Sequence, residues 1–264
     1  VTPTFTPTPT PTPTITITPT STPTPTPTPT ATSILYTNTA EVYYDASNVL
    51  SYSGGTSLRN IGTDLSDPSG TTGTMSGVEY NSNIAGGVFV FSGGTDTITF
   101  GEYNFLDNSD ITTTAWVYPR NGTSFNTLIG TIGGGSNRNG FKMGWYSSYE
   151  MIFEAGNAST GGSRSTDPNT IIENEWQHIA YVFSRNGRTI KFYRNGLLIG
   201  TMQTVLPSSG TVSGGGYQYY KIGTMTDNSN PMTADLGELK VYKTQKTLNE
   251  IFDEYYATKV KYGL

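Results

Sequence analysis

A chain of 264 residues with a net charge of −5 and only 15 Lys plus Arg offers no basic groove for nucleic acid. It has no cysteine, which excludes a disulfide framework and a thiolate metal site. No run of about 18 apolar residues occurs, so no membrane-spanning helix is expected. The sequence begins at Val1 and shows no signal peptide, which reads as a processed chain or a fragment.

From residue 2 to residue 32 every even position is Thr, and most odd positions are Pro. The exceptions are Val1, Phe5, Ile15, Ile17, Ser21 and Ala31. Alternate prolines remove half the backbone donors and fix φ near −65°, so neither helix nor regular sheet propagates. The expectation for residues 1–32 is an extended, polyproline-II-like stalk, about 100 Å long at about 3.1 Å per residue. Its threonines, among them Thr8, Thr10, Thr12, Thr24, Thr26 and Thr28, are O-glycosylation candidates; the alternative is an undecorated spacer. Thr14–Thr18 lacks proline and alternates Ile15 and Ile17 with threonine, on the same odd phase as Val1 and Phe5. That pattern suits a short strand docking on a neighbouring subunit, or else a neutral variation in a low-complexity repeat.

Residues 33–264 read as one folded domain, long enough to bury a sizeable core. Residues 33–87 are rich in glycine, serine and asparagine, and predict turns with short strands. Val88–Phe91 and Thr95–Phe100 read as a strand pair across Gly93-Gly94, followed by a strand at Asp110–Tyr118 ended by Pro119. Phe125–Thr131, Gly140–Tyr146 and Met151–Ala155 predict three more, with loops at Gly133–Gly135 and Gly161-Gly162.

Glu175–Met202 reads as three strands joined by tight turns at Asn186-Gly187 and Asn195-Gly196. Asn-Gly is a strong hairpin signal because both residues tolerate the positive φ of a type I′ turn. Trp176, Ile179, Tyr181 and Phe183 are the core candidates. A loop over Val205–Gly216 then leads to strands at Tyr217–Gly223 and Ala234–Tyr242. Thr247 and Glu250 form a capping-box pattern before a helix whose Leu248, Ile251, Phe252 and Tyr255 share one face. Many short strands with one terminal helix predict an all-β, antiparallel two-sheet sandwich.

The series Val88–Gly93, Asp96–Phe100, Ile111–Pro119 with Trp116, Trp176–Ala180, Phe192–Gly196, Lys221–Gly223 and Leu236–Tyr242 resembles the laminin-G-like, concanavalin-A-like jelly-roll superfamily. The resemblance runs from about residue 84 to 256, in matching order and spacing. Upstream, Tyr44–Asn48, Ser51-Tyr52 and Asp64–Ser66 are similar to a lead-in found in phage, viral and bacterial surface proteins. The resemblance implies a jelly-roll sandwich with a binding, adhesive or assembly role, and leaves the ligand open.

Relatives with glucanase activity carry closely spaced acids on one strand, because glycoside cleavage needs two carboxyl groups about 5–9 Å apart. Such a cluster is missing here. Asp235 and Glu238, three apart on one strand, are expected on opposite faces, and the sole histidine, His178, is expected in a structural role. No catalytic residue is assigned. The resemblance implies a candidate Ca2+ site at Asp96, Asp227, Asn228 and Asp235, residues that are equally ordinary turn formers.

Trp145, Tyr146, Tyr149, Tyr217, Tyr219 and Tyr220 are candidates for stacking on sugar rings, against the alternative that they fill the sandwich faces. Asn121 and Asn157 head N-glycosylation sequons. Two function classes follow. One is a non-enzymatic extracellular structural subunit of a virion, appendage or fibre that self-associates. The other is a carbohydrate-binding adhesin on a tether. A glycan-degrading enzyme is the third and weakest.

Overall fold

The computed structural model describes residues 1, 3, 40–62, 72–102, 109–120, 125–131, 140–157, 160–203 and 219–264. The chain divides into two units, Val1–Thr37 and Asn38–Leu264. In the first, Val1 is exposed; the expected stalk, with Phe5, Ile15, Ile17 and the six candidate threonines, lies outside the described residues.

The second unit contains sixteen strands among the described residues. The first eight are β1 (Val42–Asp45), β2 (Ser57–Arg59), β3 (Thr72–Ser76), β4 (Glu79–Asn81), β5 (Val88–Ser92), β6 (Thr97–Glu102), β7 (Ile111–Pro119) and β8 (Asn126–Gly130). The rest are β9 (Gly140–Trp145), β10 (Met151–Asn157), β11 (Thr160–Ser165), β12 (Gln177–Ser184), β13 (Thr189–Arg194), β14 (Leu197–Gln203), β15 (Tyr219–Ile222) and β16 (Thr233–Tyr242). Helix α1 (Leu248–Thr258) and a 3-10 turn (Lys259–Tyr262) close the chain.

These strands form two antiparallel sheets. The first runs β14-β13-β12-β7-β16-β5-β4, with β1 also on β16; the second runs β11-β10-β9-β8-β15-β6-β3-β2. One edge of the long β16 is shared: Thr233–Leu236 pair with β5, and Glu238–Val241 pair with β1. Successive side chains of a strand point to opposite faces, so Ile179, Tyr181 and Phe183 of β12 join Ile111, Ala115 and Val117 of β7 in the core between the sheets. Trp145, Met143 and Phe153 meet them from the second sheet. Tyr181 is fully buried, and its hydroxyl donates to the Gly144 carbonyl.

Five expectations are corrected. First, β5 and β6 are not a hairpin: β5 lies in one sheet and β6 in the other. Gly93 and Gly94, at φ 85° and 66°, carry the chain across the sandwich. Second, Gly161-Gly162 is no loop but part of β11, paired with Gly156 and Ala155 of β10. Third, only Asn195-Gly196 forms the expected two-residue turn, at φ 50° and 77°. The β12–β13 connection is longer, and Arg188 takes the positive φ there, not Asn186 or Gly187.

Fourth, Trp176 lies at the rim, half-buried between Tyr118 and Tyr262, rather than in the core. Fifth, α1 buries Ile251 and Glu254 and leaves Leu248 and Phe252 exposed. Its capping box at Thr247 and Glu250 forms as expected. Ile251 packs on Ala180, Val182 and Tyr193 of the outer sheet face.

Candidate ligand-binding site

Of the six aromatic residues singled out in the sequence, the four whose side chains are described, Trp145, Tyr146, Tyr149 and Tyr220, do not form a platform. Trp145 is 0% exposed and belongs to the core, and Tyr220 is buried against Phe141. Neither face is available to a sugar. Tyr146 is half-buried and meets Phe125 edge-on at 5.1 Å. Tyr149, at φ 59°, packs against the core; burial and then Glu173, which accepts its hydroxyl hydrogen, push its pKa up to about 12. Tyr217 and the side chain of Tyr219 lie outside the described residues.

The expected calcium ligands are likewise not brought together. Asp96 accepts a hydrogen bond from the Ser92 amide at 2.7 Å, and Asp227 accepts from the Ser229 amide and hydroxyl. Asn228 accepts from Lys221, and Asp235 pairs with Arg120 at 2.6 Å. Each is engaged with a different partner, and no three His, Cys, Asp or Glu residues converge among the described residues. Asn121 lies outside the described residues. Asn157 closes β10, and the remainder of its sequon lies outside them.

Asp235 and Glu238 depart from expectation in an instructive way. Leu236 pairs with Val117 and Glu238 with the adjacent Trp116, so Gly237 is an extra residue in β16. This β-bulge resets the alternation and puts Asp235 and Glu238 on the same, outer face. They are still no catalytic pair. Asp235 is 2% exposed; burial pushes its pKa up, against the pull of Arg120.

Glu238 is buried with Lys240, which also reaches Glu254 at 3.2 Å. Thr114 donates to Glu254 at 2.6 Å, Tyr242 donates to its other oxygen at 3.2 Å, and His178 Nε2 lies 3.7 Å away. Burial opposes the charge on Glu254, yet Lys240 and then His178 and Thr114 hold its pKa well below the carboxylate range. Trp116 stacks on Tyr262 at 4.2 Å and donates to Thr258. This network is sealed beneath the C-terminal helix and fastens it to the sheet, so it offers no entry for a substrate.

Open, concave surface lies instead at the edge of the sandwich, where β4 ends one sheet and β2 ends the other. The connection from β1 to β2, residues 46–56, runs along this edge. Short polar side chains fix it. Asp45 accepts from the Ser47 amide at 2.9 Å and Asn48 from the Leu50 amide at 2.9 Å, the local turns these residues favour. Ser51 accepts from the Asp45 amide and donates to the Arg59 carbonyl. Asn60 spends its whole amide on the Tyr43, Gly62 and Glu41 backbones. The loop is therefore fixed before any ligand arrives.

On it, Tyr52 and Tyr80 meet at 4.7 Å, and Phe89 supports both from below at 5.3 and 6.2 Å. Tyr80 is 38% exposed, and the Tyr52 hydroxyl is anchored to the Gly55 carbonyl. A cleft of about 330 Å³ opens beside the pair, lined by Ser47, Val49, Tyr52, Ser53, Gly54 and Tyr80. A second cleft, of about 450 Å³, shares Val49 and Ser53 with the first and continues past Leu50 to Ser57, Arg59 and Thr72. Exposed aromatic faces beside hydroxyls and backbone groups suit a polyhydroxylated ring. Sequence reasoning missed this site; its only signal was two tyrosines in a Gly/Ser-rich, turn-prone lead-in.

A family model described as the concanavalin A-like lectin/glucanases superfamily (Laminin_G_3) matches residues 92–252. No curated protein matches the chain by sequence. Among solved structures, domain 4 of AbnA, an extracellular GH43 arabinanase from Geobacillus stearothermophilus, solved in complex with arabinotriose, is 17% identical. The match has a TM-score of 0.58 and covers 81% of this chain and 97% of that one. The botulinum neurotoxin serotype G binding domain is 17% identical, with a TM-score of 0.57, over 83% of this chain and 51% of that one. The serotype D binding domain is 14% identical, with a TM-score of 0.59, over 84% and 52%. The chain thus spans about half the length of the toxin binding domains, and at these identities the likeness is one of fold.

Proposed function

The chain belongs to the Laminin_G_3 family of the concanavalin A-like lectin/glucanases superfamily, and on that premise we propose that it is a non-catalytic, extracellular carbohydrate-binding module. The observation that carries this reading is the Tyr52–Tyr80 pair, part-exposed on a loop already held by its own hydrogen bonds. A preformed site avoids the ordering cost of binding. The arabinotriose complex of the similar arabinanase domain supports a glycan as the ligand class. The burial of Asp235 and Glu238 supports a module without hydrolytic activity. Residues 1–32 then serve as a spacer between the module and whatever bears it.

The test is titration calorimetry against a panel of plant and microbial oligosaccharides, with Tyr52→Ala/Tyr80→Ala as the control. Two ring contacts at about 1 kcal/mol each correspond to an affinity loss on the order of thirtyfold; because both rings also pack on Phe89, the urea midpoint falls, and binding is compared at a temperature where the double variant remains folded. A wild-type protein that binds no glycan, or a double variant that binds as well as wild type, refutes the reading.

A second reading is favoured by one sequence observation, the proline-free Ile15 and Ile17 alternation within the Pro/Thr tract. In it the chain is a subunit of a fibre, appendage or virion. The tract docks on neighbouring copies, and its threonines carry O-linked sugars. Sedimentation of the native chain as a monodisperse monomer refutes it.

A further inference from the structure

Among the described residues, Arg59 is the one positively charged side chain lining the edge clefts. On β2, Leu58 points into the core at 0% exposure, so its neighbours Ser57 and Arg59 face outwards. Most other basic side chains described are already engaged. Arg120 pairs with Asp235, Lys142 with Glu154, Lys243 with Glu41, and Lys261 with Asp45. The Arg59 backbone amide bonds to Ser51, but among the described residues its guanidinium has neither a hydrogen bond nor an ion pair.

Beside it stand Val49 and Leu50, 72% and 66% exposed, an apolar surface on which the non-polar face of a ring can pack. The hydroxyls of Ser53, Ser57 and Thr72 line the same cleft. A chain of net charge −5 has no diffuse attraction for polyanions. Anion recognition here has to be made by a placed group.

We propose that the ligand is an acidic polysaccharide. One ring lies on Tyr52 and Tyr80, and the carboxylate of an adjoining hexuronate unit pairs with Arg59. The continuity of the two clefts at Val49 and Ser53 sets this order. The planar guanidinium fork matches a carboxylate in two parallel hydrogen bonds, a geometry that lysine does not reproduce. The proposal rests on the reading of the edge clefts as the glycan site.

The experiment is calorimetry of the whole chain with three probes: oligogalacturonate, its neutral methyl ester, and a sulfated galactan oligosaccharide. Arg59→Gln and Arg59→Lys are measured alongside. Because Arg59 is exposed, both variants keep the wild-type urea midpoint. The expected result is that the free acid binds wild type at least tenfold tighter than the ester. Arg59→Gln brings that ratio to about one, and Arg59→Lys restores only part of it. Equal affinity for acid and ester, or a ratio untouched by Arg59→Gln, overturns the proposal and leaves the edge-cleft reading standing. A sulfated probe that binds as tightly as the acid overturns the carboxylate assignment. If none of the three probes binds and neutral glycans do, the acidic ligand is wrong. If no glycan binds at all, both readings fall.

Discussion

Replacing Lys240 with methionine tests the role given to the network beneath the C-terminal helix. Lys240 is buried and contacts two buried carboxylates, Glu238 and Glu254. Methionine fills nearly the same volume without the charge. Glu254 then keeps Thr114 and Tyr242 as donors, with His178 at 3.7 Å, but loses its nearest cation. Leaving buried carboxylates uncompensated costs about 3–5 kcal/mol, which for a domain of this size lowers the melting temperature by about 10 °C.

The pH dependence carries a sign. In the wild type the folded pKa of Glu254 is depressed, so its contribution is present above the unfolded value, near 4.5, and is lost as pH falls below it. In Lys240→Met, burial without the cation raises the folded pKa, so protonation relieves the defect. The stability gap between the two proteins should be widest near pH 7 and should narrow towards pH 4. Urea unfolding at both pH values measures it. A gap under about 1 kcal/mol at pH 7, which is what a solvated surface pair contributes, or a gap constant with pH, would refute the argument.

Two further outcomes follow from the same packing. Gly237→Ala adds a methyl group that overlaps the Tyr262 ring and hydroxyl. A cost of about 1–3 kcal/mol is expected in thermal melts, with loosening of the Lys259–Tyr262 turn seen in hydrogen exchange. Trp145→Ala should lower stability by about 3–5 kcal/mol as a core truncation. At temperatures where it remains folded it should bind glycan like wild type, which calorimetry checks; a selective loss of binding would return Trp145 to the site.

Alternation made most strands legible, because a half-buried strand shows its period within one segment. It did not show which sheet a strand joins: β5 and β6 read as partners across Gly93-Gly94, yet two positive-φ glycines send them to different sheets. The turn at Asn195-Gly196 was readable because both φ values it needs are ones those residues accept. At Asn186-Gly187 the same dipeptide sits inside a longer connection, where the strain falls on Arg188.

The face of α1 was misjudged because its burial is set by a charge. Glu254 turns inwards to meet Lys240, a partner 14 residues away that no apolar count reveals. Trp145 was misplaced for a related reason: a tryptophan on a strand has the same local signature whether it faces the core or solvent. Tyr52 and Tyr80 meet only through a loop bridging two sheet edges, which is a property of tertiary arrangement.

The sharing of one edge of β16 by β1 and β5 has a mechanical consequence. β1 is the first of the described strands, so tension arriving along the chain from its N-terminal side meets this four-residue ladder before any other described strand. Both its ends are braced by ion pairs, Glu41 to Lys243 and Asp45 to Lys261. Lys261 lies only a few residues from the chain's last residue, in the turn that Tyr262 stacks onto Trp116. β1 and the Lys259–Tyr262 turn therefore bear load as one clasp: to peel the strand away, a pull must also break the grip of the turn.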